Sequence, residues 1–78
     1  MKKVSIYSTP TCTYCNMTKQ FFRDNNVQYE EFNVATDAAK RQEMIEKSGQ
    51  MGVPVVIIDN DLIVGFDKNR LTKLLDIK

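Results

Sequence analysis

Thr11-Cys12-Thr13-Tyr14-Cys15 holds both cysteines of the chain, three positions apart, shortly after the apolar run Val4-Ser5-Ile6-Tyr7. The run is rich in β-branched and aromatic residues and reads as a buried strand. Ser8-Thr9-Pro10 breaks it, because proline has no N–H to give to a strand ladder. From Cys12 to about Asp24 the pattern turns helical, with Thr11 or Cys12 as N-cap and Cys15, Thr18, Phe21 and Phe22 inward. Asn25-Asn26 ends this helix, since asparagine tolerates the left-handed conformation at helix ends.

A Cys-x-x-Cys pair at a helix N-terminus has a chemical use. Three residues is slightly less than one helical turn, so the two sulfurs come within bonding reach. The first sulfur faces free backbone N–H groups and the positive end of the helix dipole, which favour thiolate over thiol. The thiolate is the form that attacks a disulfide. The pair therefore predicts thiol–disulfide exchange, with Cys12 attacking and the inward Cys15 resolving through a reversible Cys12–Cys15 disulfide.

Size and charge narrow the alternatives. A chain of 78 residues fits one small domain, residues 1–78, with a modest core. Two cysteines three apart close too small a loop to staple it, so stability must come from packing. The net charge of +1, with no long run of one sign, implies neither nucleic acid nor an acidic membrane as partner. Met1-Lys2-Lys3 is followed by too short an apolar stretch for a signal peptide or a membrane span, so a cytoplasmic location is expected. A reducing compartment suits a redox-cycling or metal-binding thiol pair better than a structural disulfide. Histidine is absent, which removes Cys–His dyads and imidazole metal ligands. A zinc site needs four ligands, and two thiolates are offered.

Further along, Val27 to Val34 predicts a second strand, although its alternation slips between Tyr29 and Phe32. Thr36 or Asp37 then caps a helix from about Ala38 to Lys47, with Ala38, Ala39, Met44 and Ile45 inward. Its other side (Lys40, Arg41, Glu43, Glu46, Lys47) reads as a solvated charged face, and Ser48-Gly49 closes it. Val55-Val56-Ile57-Ile58 reads as a central strand buried on both faces. Asp59-Asn60 turns it into Leu62-Ile63-Val64, and Asp67 caps a last helix carrying Leu71, Leu74 and Leu75. The order is β-α-β-α-β-β-α. Met17, Met44 and Met51 read as packing residues.

This order, with Cys12-Thr13-Tyr14-Cys15 opening the first helix and Gly52-Val53-Pro54 opening the third strand, resembles the glutaredoxin branch of the thioredoxin fold over essentially the whole chain. Cys12-Thr13-Tyr14-Cys15 is similar to the Cys-Pro-Tyr-Cys of glutaredoxins with Thr13 in place of proline. Gly52-Val53-Pro54 is similar to their Thr-Val-Pro, whose proline is cis. The resemblance implies an α/β fold with a four-stranded mixed sheet flanked by three helices. It places the Val53 backbone beside Cys12, where an incoming peptide pairs as a short extra strand. Thr11, Thr13, Tyr14, Val53, Pro54, Gly65, Phe66 and Asp67 are the substrate-binding residues it suggests. Four of them also have a plainer role: Pro54 as a strand-start proline, Phe66 as a core ring, Asp67 as a helix cap and Tyr14 as an exposed aromatic covering the sulfurs.

Departures from the glutaredoxin pattern bear on the electron donor. Thr9 stands where many glutaredoxins carry a lysine near the glutathione carboxylate. Val64-Gly65 replaces their paired glycines, and Lys68 stands where an acid commonly binds the glutathione amine. Gly65-Phe66 resembles instead the Gly-Phe of NrdH-type redoxins, although Asp67-Lys68 replaces the Arg-Pro usual there. A monomeric dithiol carrier, binding no cofactor and recharged by a thioredoxin-reductase-type flavoenzyme, is thus expected, with glutathione as the other donor. Its substrates would be disulfide-containing proteins. Two further classes stay open: a module pooling four thiolates from two chains around zinc or an iron–sulfur cluster, and an adaptor binding peptides beside Pro54.

Overall fold

The computed structural model describes residues 3–77. Met1, Lys2 and Lys78 lie outside them, and with them most of the Met1-Lys2-Lys3 start weighed above as a signal sequence. The elements are β1 (Val4–Ser8), α1 (Thr13–Asp24), β2 (Glu30–Asn33), α2 (Ala38–Ser48), β3 (Val55–Ile58), β4 (Asp61–Val64) and α3 (Lys68–Leu74). The strands form one mixed sheet in the order β2-β1-β3-β4. β1 runs parallel to β2 and antiparallel to β3, and β3 and β4 form the antiparallel hairpin.

Alternation along the strands assigns each side chain to a face. Val4 and Ile6 of β1, Val56 and Ile58 of β3 and Ile63 of β4 meet Phe22 of α1 and Leu71 of α3. Tyr7, Val55 and the half-buried Ile57 and Leu62 point the other way, toward Met44 of α2 and Val34. Two helices thus cover one face and a single short helix covers the other. β3 lies between two strands and is buried except at Ile57, which α2 does not fully reach.

The alternation slip in the second strand follows from this two-sided burial. Tyr29 stacks at 5.2 Å on Phe22, under α1, whereas Phe32 lies 5.3 Å from Tyr7, under α2. The strand is also shorter than the pattern suggested. Val27 N–H donates to the Phe22 carbonyl (2.8 Å), so that residue belongs to the end of α1, and pairing with β1 begins at Glu30. The left-handed residue there is Asn26, at φ 57°.

Two readings of α2 are corrected. Ala38 and Ala39 are exposed: they form the first turn after the Asp37 cap, and the helix buries Met44 further along. Nor is the charged side uniformly solvated. Tyr7 Oη donates to Glu43 Oε1 (2.5 Å), Lys40 and Lys47 both pair with that carboxylate, and the Lys40 ammonium sits 4.2 Å above the Phe32 ring. The Tyr7 hydrogen bond first, then those to Lys47 and Lys40, hold the Glu43 carboxyl down to about 2. Burial, reinforced by the Glu43 bond, raises the Tyr7 phenol above its ordinary range. Sequence pattern could not show this, since Tyr7 and Glu43 are 36 positions apart.

Candidate active site

Three loops meet at one end of the sheet: the link from β1 to α1, the link from α2 to β3, and residues 65–67 between β4 and α3. The first ends in a turn in which Cys12 N–H donates to the Thr9 carbonyl (3.3 Å). Cys12 is the N-cap of α1, in an extended conformation at φ −88° and ψ 112°. Its Sγ accepts the Cys15 backbone N–H at 3.1 Å, filling the role a serine or aspartate oxygen plays at other caps. The free N–H groups of the first turn are therefore presented to the sulfur, and no acidic side chain in that turn opposes negative charge there.

Cys12 and Cys15 are joined as a disulfide, with Cα atoms 5.2 Å apart. Their surroundings differ. Cys12 is half-buried, whereas Cys15 is 0% exposed and packed on the inward side of α1. Next to it Thr18 is also fully buried, and its hydroxyl donates to the Tyr14 carbonyl (2.8 Å). One sulfur can be approached from outside and the other only through the first.

The second loop brings Val53 and Pro54 to the sulfurs. The Val53–Pro54 peptide bond is cis, and the Val53 carbonyl oxygen lies 3.8 Å from Cys12 Sγ. Pro54 is buried, and its carbonyl accepts the Gly65 N–H (2.8 Å), which ties the third loop to the second. Gly65 makes this link at φ 85°, a left-handed backbone that residues with a Cβ rarely adopt.

The structure therefore brings Cys12, Cys15, Val53, Pro54 and Gly65 together. Thr11, Thr13 and Tyr14 stand exposed around the pair, Tyr14 most openly at 62%. Phe66 is half-buried and meets Phe21 edge-on at 6.1 Å, so it serves as a packing ring and also borders the site. Asp67 is exposed and its carboxylate accepts the Arg70 N–H (3.1 Å) as the cap of α3. Among the described residues no group of three or more Cys, Asp or Glu side chains is placed to hold a metal ion.

Gln50 is a contributor that sequence reasoning passed over. Its amide oxygen accepts the Gly52 N–H (2.5 Å), and its amide nitrogen donates to the Gly52 carbonyl (3.1 Å) and to Ser48 Oγ (3.2 Å). Ser48 Oγ in turn donates to the Met44 carbonyl (2.6 Å) and lies 3.0 Å from the Gln50 carbonyl. One side chain thus ties both polar groups of the residue before Val53 back onto the end of α2. No motif signals this, because a glutamine in a polar loop ordinarily reads as solvent-facing. A Cβ at Gly52 would come within 2.6 Å of the Gln50 oxygen, so a larger residue there would displace the Gln50 amide.

A four-stranded mixed sheet with three helices and a Cys-x-x-Cys pair opening the first helix defines the thioredoxin-like fold. The glutaredoxin family model matches residues 4–63, and the chain belongs to the glutaredoxin family. It is 45% identical to a glutaredoxin-like 8.6 kDa protein of the rubredoxin operon of Clostridium pasteurianum, over 94% of this chain and 97% of that one. It is 40% identical to glutaredoxin 3 of Escherichia coli, over 86% of this chain and 81% of the relative. With the glutaredoxin-like protein NrdH of Lactococcus lactis it shares 30% identity over 91% and 97% of the two chains. Among solved structures, a variant of the thioredoxin-like protein BC3987 superposes with a TM-score of 0.92 at 40% identity, covering both chains completely. The protein is thus a glutaredoxin-like redox protein built around the Cys12–Cys15 pair.

Proposed function

We propose that this chain is a dithiol–disulfide oxidoreductase that reduces protein disulfides and is recharged by a thioredoxin-reductase-type flavoenzyme. The observation that carries the reading is the asymmetry of the pair: an approachable Cys12 sulfur capped by the Cys15 N–H, against a Cys15 sulfur with no exposure. In the reduced protein, Cys12 thiolate attacks one sulfur of a substrate disulfide. The S–S bond breaks, the first substrate thiolate leaves, and a mixed disulfide forms. Cys15 then loses its proton and attacks Cys12 Sγ, releasing the second substrate thiol. Two electrons pass to the substrate, one proton comes from Cys15 and the other from water, and NADPH restores the dithiol through the flavoenzyme.

Around this exchange, Val53 offers its backbone to the substrate beside Pro54, while Thr11, Thr13, Tyr14, Gly65, Phe66 and Asp67 border the bound segment. The protein acts as a monomer in the cytoplasm, binds no cofactor, and its Cys12–Cys15 disulfide is the redox centre. Lys68 favours the flavoenzyme as donor, because an ammonium at that position repels the glutathione amine. The 40% identity to a glutaredoxin favours the second reading, in which glutathione is the donor.

The test is NADPH consumption with a model disulfide, coupled to thioredoxin reductase in one assay and to glutathione with glutathione reductase in another. Turnover in the first alone supports the proposal. Turnover in the second alone replaces the donor, and silence in both rejects the reductase role. Cys12→Ser is expected to abolish turnover and Cys15→Ser to accumulate mixed disulfides, read by mass spectrometry.

A further inference from the structure

Apolar surface runs away from the sulfurs along α1, and beyond Tyr14 and Phe66 the exchange just described does not use it. Tyr14 and Met17 are 62% and 44% exposed, and Phe21 follows one turn further on, so the three share a stripe. Where the stripe reaches residue 66, Met17, Phe21 and Phe66 wall an open groove of about 300 Å³, rimmed by Gln20, Asp24 and Lys68. The groove joins the redox site along two paths. One is α1 itself, whose cap is Cys12. The other is the backbone, since Phe66 follows Gly65, which is bonded to Pro54, which follows the Val53 carbonyl beside Cys12.

The rim carries one charge of each sign: Lys68 opens α3, three residues after Gly65, whereas Asp24 ends α1, at the far end from Cys12. The Asp24 carboxylate already accepts the Gln20 amide (2.7 Å). The Lys68 ammonium has no carboxylate partner among the described residues. We propose that this groove docks the segment flanking the reactive cysteine of a protein substrate, and that it selects an apolar side chain accompanied by a carboxylate. The proposal rests on the dithiol–disulfide reading above and adds the class of substrate.

Dimensions agree with this. Met17 and Phe21 lie five and nine residues beyond Cys12, or about 7 and about 13 Å along the helix axis. An extended peptide advances about 3.3 Å per residue, so side chains two to four positions from the substrate cysteine reach the groove. Burial of an apolar side chain against Met17, Phe21 and Phe66 supplies affinity, and the unpaired ammonium supplies discrimination by charge.

A single-turnover assay tests the proposal without any recharging enzyme. Prereduced protein is mixed with one of two disulfide peptides, quenched with acid and alkylated, and each rate is divided by that peptide's rate with dithiothreitol. One peptide carries Leu-Asp three positions from its first cysteine and the other Ser-Lys, and 2-hydroxyethyl disulfide serves as a substrate too small to fill the groove. The Leu-Asp peptide should react about tenfold faster than the Ser-Lys peptide. Lys68→Glu and Met17→Asp should each erase most of that preference while leaving the rate with 2-hydroxyethyl disulfide unchanged. Equal rates for the two peptides, or variants that slow the small disulfide as much as the peptides, would overturn the docking groove alone. Failure of all three disulfides to oxidise the unmodified protein would overturn the redox reading and the groove with it.

Discussion

The two faces of the sheet are closed by different kinds of interaction. Under α1 and α3 the contacts are apolar: Phe22 and Leu71 fill the space against Ile6, Val56 and Ile63, and Phe21, Tyr29 and Phe66 extend the layer as ring contacts. Under α2 the buried cluster is smaller, and much of the joint is polar, with Tyr7 bonded to Glu43 and two lysines around the same carboxylate. The first face carries the helix that opens at the cysteines. The second carries the helix whose C-terminal loop, tied by Gln50, leads to Val53 and Pro54. Burial is non-directional and sets how firmly α1 is held, whereas hydrogen bonds fix direction. Cys12 is thus anchored by packing, and the Val53 backbone it faces is oriented by polar contacts.

This contrast can be broken most forcefully from the apolar side. Phe22→Ala removes a ring with no exposure and is expected to cost about 3–5 kcal/mol in denaturant unfolding. On the polar side Tyr7→Phe keeps the ring and deletes one hydrogen bond to a charged group, for an expected loss of about 1–3 kcal/mol near neutral pH.

The pH dependence of Tyr7→Phe sharpens the point. Glu43 is lowered from 4.5 to about 2 in the folded protein, so its contribution is complete above the unfolded value and is lost as pH falls through that window. The Tyr7 phenol is raised from 10.0, so its contribution is complete below that value and is lost as pH rises further. Tyr7→Phe should flatten both limbs of the stability–pH curve, measured by urea unfolding at a series of pH values. A variant whose curve kept both slopes would show that the clamp contributes nothing to linkage.

A smaller effect is expected at Gln50, and in a different observable. Gln50→Ala frees the Gly52 N–H and carbonyl while removing no buried apolar surface. Loss of about 1 kcal/mol of loop ordering corresponds to about fivefold in kcat/KM for disulfide reduction. An unfolding midpoint that fell as far as that of Tyr7→Phe, with kcat/KM unchanged, would make Gln50 a stability residue and not an orienting one. The smallest change belongs to Glu31→Gln. Its carboxylate is held low chiefly by the Lys19 hydrogen bond, but the side chain is 42% exposed, so about 0.5 kcal/mol is expected by unfolding.

Much of this arrangement was legible in the chain because it is local. The 3.6-residue pattern of Cys15, Thr18, Phe21 and Phe22 marks the inward side of α1; Cys15, Thr18 and Phe22 are buried, and Phe21 is partly buried at the edge of that side. Asp37 and Asp67 sit at the caps, where a short acidic side chain satisfies free N–H groups, and each accepts the N–H three residues on. The motifs around Cys12 and Pro54 carried the family resemblance, and with it the four-stranded mixed sheet, while the Asp59-Asn60 turn marked the antiparallel hairpin.

What the sequence alone determined is the order of elements, the inward side of α1 and the place of the cysteine pair at a helix start, since periodicity and caps are written within a few residues. Tertiary structure decided the rest. It set how much of Val27 to Val34 pairs, because the Phe22 carbonyl competes for the Val27 N–H. It left Ala38 and Ala39 outside and drew Glu43 and Lys40 onto the sheet. It brought Lys68 to the mouth of an apolar groove. Each of these depends on groups distant in the chain meeting at hydrogen-bond or van der Waals range, and such meetings exist only once the sheet has assembled.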